Sequence, residues 1–523
     1  MNLDFAIEFF LILFYSSIFV FLIGRIPFFT NSGLSTFFLR TIFVFKIIIA
    51  IVVWSIYTFY YTDRTTADIY KFFDDSKVIF GALKTNPLDY FRMVFNIADD
   101  GSYFQKTYYK QMDYWLLKYG AESYNGTRTI IRLNAILQLF SFGFFNVHSI
   151  FASFLSLIGF VGIYRFLVYS LSYTSFFVVA CVFFIPTIQF WTSTLLKESI
   201  IFFALGVSLF SLSELLKGTK FKATYFILGL FALILILIVK YYIFLALIPG
   251  IISFILSNNK LIRRVYLTYS VIASTIILSI VFSYNFFVKY DLVKHLSIKQ
   301  RDFVKLAEGG VYVFNDSVAA FTEYENKNDL IPVGNSSKYY RFVEGSDYQY
   351  WKRKSDFKDT VYVKNSSDTT RFKLKYILVP SGSLLSNKII DSDLWSVVSY
   401  LPVGIANTLF RPFVWEQKNA LYFVPSVESS FLIVLLLLAV FFFKKRGSNI
   451  NLILFSLLFS SLLVTIIGIT TPVLGAIVRY KIPLLPFLFI SIYLLIDKER
   501  ITPLIPKFIL NSIERLKEFI FSK

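Results

Sequence analysis

Apolar runs near the length needed to cross a bilayer alternate with polar stretches along most of this chain. They fall at about Phe5–Gly24, Thr41–Tyr60, Ile130–Phe145, Ser149–Leu167, Ser175–Phe190, Ser199–Leu215, Ala223–Lys240, Tyr242–Ser257, Val265–Phe287, Ser430–Phe443, Leu452–Ile469 and Leu474–Ile496. Lipid offers no partner to a backbone N–H or C=O, and these runs are too long for strands, so each run that crosses must be helical. The pattern predicts an all-α polytopic membrane protein with about 11–13 transmembrane helices.

Two long polar stretches interrupt the runs. Tyr61–Arg128 carries Asp68, Asp74 and Asp75 just beyond an apolar segment. Lys289–Asp393 is rich in Tyr, Lys, Asp and Asn and contains strand-like runs at Val311–Phe314, Val361–Lys364 and Phe372–Val379. Asn365-Ser366-Ser367-Asp368 reads as a hairpin turn joining the last two, which predicts a small α+β domain. The chain then divides into N-terminal transmembrane helices (1–60), a first external loop with amphipathic juxtamembrane helices (61–148) and a transmembrane core (149–288). An external α+β loop domain with an interfacial segment (289–427), C-terminal transmembrane helices (428–497) and a cytoplasmic amphipathic tail (498–523) complete it.

Charge sets the sides. Lys217, Lys220 and Lys222 share one short loop, Lys260, Arg263 and Arg264 another, and Lys444 to Arg446 a third, which places these loops and the basic tail in the cytoplasm. If every run crossed, Tyr61–Arg128 would lie on the cytoplasmic side, yet its acidic and basic residues are equal in number, and Arg25, Arg40 and Lys46 claim the preceding connection for the cytoplasm. Ile130–Phe145 is short and holds Arg132, Asn134, Gln138 and Gly143, so it is expected to lie at the interface without crossing. Both long loops then face outward.

Composition narrows the function classes. Only 16% of the 523 residues are charged and 56% are hydrophobic, against about 25% charged in soluble chains. The net charge of +19 sits in short loops and the tail, as membrane orientation requires, so nucleic acid is not an expected partner. One cysteine, Cys181, precludes an intrachain disulfide or a CxxC site. His148 and His295 lack metal-ligand spacing and read as interfacial polar residues. The first apolar run follows Asp4, contains Glu8 and has no basic residue before it, unlike a cleaved signal peptide. No Gly-rich phosphate loop and no internal repeat is visible, which argues against a transporter. Richness in Asn, Lys, Ile, Phe and Tyr suggests an AT-rich bacterial genome and hence a bacterial inner membrane.

A charged residue costs about 2.5–3.5 kcal/mol at the bilayer centre on insertion scales, so charges within or beside a membrane segment mark candidate chemistry. Four groups stand out: Asp68, Tyr70, Asp74 and Asp75 in the first loop; Lys197 and Glu198 after Pro186 and Trp191, opening a helix; Arg411, Trp415 and Glu416; and Arg479 and Tyr480 ahead of Pro483 and Pro486. A carboxylate just outside a membrane helix can act as a general base or hold a divalent metal. An arginine at headgroup depth can pair bidentately with phosphate.

An Asp-x-Tyr stretch in the first external loop, amphipathic helices leading back to the membrane, a Pro-then-Trp segment entering a charged helix, and a terminal Arg-Tyr-x-x-Pro-x-x-Pro helix together resemble the C-type (GT-C) superfamily of membrane glycosyltransferases. The resemblance implies a polyprenyl-phosphate-linked sugar donor, a glycan, lipid or protein acceptor of the envelope, and transfer at the external face with inversion. It makes Asp68 the base. Asp74 or Asp75 assists it or holds a divalent cation, the one cofactor this reading leaves room for, and Arg479 with Arg411 neutralises the departing phosphate. Lys197-Glu198 stands where many relatives have a lone acidic residue, and the acidic signature of the first loop is not the usual Asp-Glu or Asp-x-Asp. An envelope polysaccharide polymerase or ligase, and a non-catalytic transporter or assembly factor, share the same outline and remain alternatives.

Overall fold

The computed structural model describes residues 3–521 apart from 62–63, 65–66, 100, 113, 116–125, 219–221, 259–263, 288–290, 315–317, 334–338, 353–360, 364–370, 386–387, 417–419 and 445–448; within some elements, at Asp68 among others, it describes backbone alone. Helix α1 (Leu3–Ile23) is followed by the short α2 (Pro27–Thr30) and by α3 (Thr36–Ser55), whose start is capped by Ser35 and whose end widens into a π turn, Ile56–Tyr60. The first long polar stretch is itself largely helical: α4 (Asp68–Thr85), α5 (Pro87–Phe95), α6 (Ser102–Thr107) and α7 (Thr127–Ser141). Then come α8 (Phe145–Leu171), α9 (Phe176–Phe183), α10 (Pro186–Thr192), α11 (Lys197–Lys217), α12 (Ala223–Asn258) and α13 (Val265–Phe286).

Eight described helices are long and apolar enough to cross a membrane, or nine if the bent pair near the C-terminus counts as one span, so the chain is a multi-pass membrane protein. Helix α7 is not among them. Three expected runs are broken. Pro186 forbids a continuous helix across Ser175–Phe190, since its ring clashes with the carbonyl four residues back, and α9 and α10 result. Pro483 and Pro486 do the same within Leu474–Ile496.

The third break is in α12, where Lys240 has φ −148° and ψ 83°. A straight helix of this length would extend about 54 Å at 1.5 Å per residue, well beyond the roughly 30 Å hydrocarbon core. Its contacts show instead that it doubles back. Gly229 packs on Ser211 late in α11, Lys240 reaches Glu198 at the start of α11, and Phe254 returns to Phe166 late in α8. Ala223–Lys240 and Tyr242–Ser257 are thus two antiparallel halves, as their polar junction suggested.

Helices α8 and α11 run side by side at backbone contact, because a Cβ on Gly206 would sit 1.9 Å from Gly159 O. Small residues permit this approach, and without a hydrophobic force between helices in lipid the resulting van der Waals contact is what holds them. This pair belongs to the first of two compact units, Met1–Ile276, Pro412–Leu463 and Lys481–Lys523.

The second unit comprises Ile277–Arg411 and Val464–Tyr480. Within it α14 (Leu292–Glu308), capped by Asp291, precedes strands β1 (Gly310–Phe314), β2 (Val318–Thr322), β3 (Leu330–Pro332), β4 (Tyr340–Phe342), β5 (Tyr348–Lys352), β6 (Val361–Val363) and β7 (Lys373–Leu378). An antiparallel sheet of order β6-β5-β2-β1-β7 covers a core of Val311, Val313, Ala320, Phe342, Tyr348 and Phe372, with β3 and β4 forming a separate pair. The α+β expectation holds, but the hairpin does not: β6 pairs with β5 and β7 with β1, so they occupy opposite edges. Residues 365–368 themselves lie outside the described residues. Helix α15 (Leu394–Phe410) packs Gly404 on Gly468. The chain closes with α16 (Phe423–Phe441), α17 (Ile450–Thr470), α18 (Leu474–Tyr480), α19 (Leu485–Leu494), the short α20 (Lys498–Ile501) and the amphipathic α21 (Lys507–Ile520).

Candidate functional site

Helix α4 is amphipathic. Its inner face buries Tyr70, Phe72, Phe73, Asp75 and Ser76, and three contacts fix it. The Tyr70 phenol meets the Thr58 hydroxyl in the π turn that ends α3, Phe73 sits edge-on to His148 with centroids 4.9 Å apart, and Gln138 Nε2 of α7 donates to Ser76 Oγ at 3.1 Å. The first turn of α4 is therefore held against the end of α3. Asp68 opens that turn, and its side chain lies outside the described residues.

Asp74 and Asp75 are adjacent in sequence but about 100° apart around a helix, and they take separate partners. Arg64 donates to both oxygens of Asp74, at 2.9 Å and 2.8 Å, while stacking over the Tyr70 ring at 4.0 Å. Asp75 is buried and accepts from the Tyr114 amide at 2.8 Å, and Lys71 reaches the hydroxyl of that tyrosine. A guanidinium thus already neutralises Asp74. Among the described residues, no three His, Cys, Asp or Glu side chains gather to hold a metal ion.

Across from α4, the start of α11 carries Lys197 and Glu198. Lys197 Nζ donates to Thr127 Oγ1 of α7 at 2.9 Å and lies 5.8 Å from the Phe72 ring centroid. Glu198 pairs with Lys240 at 2.6 Å, both buried, at the turn of α12. Gly126 allows α7 to start there, because a Cβ would come 2.7 Å from Val239 O. The fold thus brings Tyr70, Asp74 and Asp75 into one neighbourhood with Lys197 and Glu198, at the end of the bundle where α3 stops, α11 starts and α12 turns. Trp415 and Glu416 form a local turn in the same unit: Glu416 accepts from the Phe413 amide at 3.0 Å, and an exposed Trp415 stacks on Phe413. Arg411, Arg479 and Tyr480 are half-buried members of the second unit.

Behind α4, two buried carboxylates tie down the rest of the stretch. Asp89 accepts from Asn86 Nδ2, Tyr103 and Tyr108 at 3.0, 2.9 and 3.0 Å; Asp99 accepts from Tyr109 and from Arg132, each at 2.9 Å. Trp115 stacks on Tyr109 and is flanked by Arg128 and Arg132. Asp75, Asp89 and Asp99 are all buried.

Burial first, and the adjacent carboxylate second, push the Tyr108 and Tyr109 phenols above their ordinary 10.0. The neutral form is favoured by folding, so this stability is complete below pH 10.0 and is lost as pH rises toward the raised values. In an alkaline titration followed by tyrosinate absorbance, these two should ionise only with unfolding, after the exposed tyrosines, and Tyr109→Phe should remove part of the lagging signal. All tyrosines rising together near pH 10 would contradict their burial.

Three further ionisable side chains were misjudged or passed over in the sequence, Lys46 and His148 fully buried and Glu428 partly buried. Lys46 is not a cytoplasmic flank: it lies mid-way along α3, fully buried, donating to Thr192 Oγ1 at 2.8 Å and Gln189 Oε1 at 3.3 Å. Glu428 accepts from the Thr187 amide and hydroxyl at 2.7 and 2.6 Å, although its apolar run was expected to begin at Ser430. His148 is shielded from solvent. It is buried between Ser141 Oγ (2.7 Å) and Asn134 Oδ1 (2.8 Å), an arrangement that resembles a nucleophile, base and orienter but admits no substrate, since all three side chains are buried. A charge inside an apolar run was the available signal for Lys46 and Lys240.

No protein family, curated protein or solved structure compared with this chain matches it.

Proposed function

We propose that this chain is a GT-C-type membrane glycosyltransferase that moves a sugar from a polyprenyl-phosphate-linked donor to an envelope glycan, lipid or protein on the external face of a bacterial inner membrane. The observation that carries the reading is the packing of the acidic helix α4 against Lys197, beside the Glu198–Lys240 pair, at one end of the membrane helices. Ionisable groups gathered in this way mark a candidate functional site.

In this reading Asp68 accepts the proton of the acceptor hydroxyl as that oxygen attacks the anomeric carbon. The bond from that carbon to the phosphate oxygen breaks, the electron pair leaves with the phosphate, and the anomeric centre inverts. Beside α4, Lys197 offers the positive charge that the leaving phosphate gains most from; Arg479 and Arg411 keep the phosphate role that the resemblance implies. Asp75, anchored on the Tyr114 amide, positions α4. Tyr61–Arg128 and Lys289–Asp393 then share the external side.

The test uses purified protein in liposomes with a polyprenyl-phosphate-linked hexose and an envelope extract as acceptor pool. Arg479→Lys keeps the charge and removes the planar fork, so turnover should fall about 10- to 100-fold, the worth of one charged hydrogen bond. Equal turnover and equal donor affinity for parent and variant would leave Arg479 as a helix anchor and remove it from the site.

A further inference from the structure

Helix α5 is inside out for a helix in water. An amphipathic helix on a soluble protein buries its apolar stripe and solvates its charges. In α5 the inward residues are Asp89, Tyr90, Met93 and Val94, and the outward ones are Leu88, Phe91 and Phe95, which expose 66%, 50% and 63% of their surface. Spacings of three and four residues join these into one stripe, and the exposed Ile97 extends it past the helix end.

Two sets of contacts fix where the stripe lies. Helix α7 lies across the end of the bundle because it is tied at both ends. Thr127 accepts from Lys197 at the start of α11, while the Phe140 carbonyl accepts from the Tyr15 hydroxyl of α1 at 3.0 Å and the Phe140 ring packs on Phe151 of α8. Helix α5 runs antiparallel along α7, since Tyr90 donates to the Ala135 carbonyl at 3.2 Å and Arg132 Nε to the Met93 carbonyl at 2.7 Å. That register carries Leu88 toward Leu139, Phe140 and Phe142, which are exposed as well. Tyr15 lies well inside α1, a candidate span that exposes Phe5, Phe9, Phe10 and Phe14. The stripe on α5 thus continues an apolar surface that begins on a membrane helix.

We infer that α5 lies flat in the lipid leaflet at this end of the bundle, its stripe among the acyl chains nearest the headgroups and its Asp89 face turned to the protein. A helix of this kind sinks its apolar face about 5–10 Å into the headgroup and acyl boundary. Continuity decides the occupant. The leaflet that covers α1 beside Phe140 reaches Leu88 and Phe91 along the side of α7, so no second protein is needed to take the stripe out of water. Because only Asn86 separates α4 from α5, the same seat sets the depth of the acidic helix. The inference rests on α1 being a membrane span and is independent of the transferase reading.

The experiment uses the full chain in nanodiscs of phosphatidylethanolamine and phosphatidylglycerol, one chain per disc, in a Cys181→Ser background. A nitroxide is attached in turn at Leu88→Cys, Phe91→Cys and Phe95→Cys and, as exposed polar references, at Lys84→Cys and Lys106→Cys. Power saturation compares collisions with oxygen, which concentrates in acyl chains, and with a water-soluble nickel chelate. The oxygen-to-nickel ratio at positions 88, 91 and 95 is expected to exceed that at 84 and 106 several-fold. Each labelled chain must elute as the parent does, and Ile97→Cys replaces any stripe position that does not. Nickel access at 91 and 95 equal to that at 84 and 106 would put the stripe in water, and protection from both reagents would put another chain on it. Either result would overturn the inference.

Discussion

Replacing Glu198 alone by Met, or Lys240 alone by Met, is expected to cost about 3–5 kcal/mol of stability, the usual result of stranding one member of a buried ion pair. The two charges meet at 2.6 Å with almost no solvent access. Removing either leaves the other buried against the turn of α12, where water cannot repay its lost hydration. Replacing both should recover most of the loss, since well-packed apolar residues of similar volume often match a buried pair. Detergent-exchange thermal unfolding of the parent, the two single variants and the double variant closes the cycle. Single variants as stable as the parent would mean that the pair does not hold the turn. The double variant also separates roles: if it folds and transfers sugar at the parent rate, Glu198 and Lys240 are scaffold, and only Lys197 of that group stays with the chemistry.

What the sequence displayed and what it hid follow from the range of the interactions. Membrane helices are set by composition over a score of neighbouring residues, so their existence was legible, as were strands β1, β6 and β7 of the second unit and the division of α12 at Lys240. Pairing is not local. Strand β7 finds β1 rather than the β6 that precedes it, because register is fixed by a shared core of Val311, Val313 and Phe372 and not by a turn signal. Lys46 looked like a flanking charge because what neutralises its cost, Gln189 and Thr192, lies 143 and 146 residues on. Glu428 is bound to a helix start 241 residues earlier. In the candidate site the residue types were legible one by one. That Lys197 would touch the acidic helix, and that Arg64 would claim Asp74, depended on contacts no local pattern encodes.

Asp68→Asn is expected to lower turnover by about 10²–10⁴-fold with fold and donor binding intact, the range for loss of a general base. Asp68 opens α4 two residues before Tyr70, whose phenol meets Thr58 at the end of α3. The first turn of α4 is thereby fixed where a membrane span ends, which is where a lipid-linked donor would present its anomeric carbon. A carboxylate placed there can take the proton. Asn keeps the size and removes only that capacity. The neighbours supply the control. Asp74→Asn disturbs an exposed pair with Arg64, and such pairs are worth about 0–1 kcal/mol, so its turnover should stay within a few-fold of the parent. Asp75→Asn still offers an acceptor to the Tyr114 amide, so its defect should be in stability before rate. Added divalent cation should restore neither variant. Steady-state transfer by the three purified variants, with donor affinity measured separately, gives the ranking. An Asp68→Asn enzyme that transferred sugar at the parent rate, or a rate lost equally by all three with cation rescue, would end the assignment of Asp68 as the base.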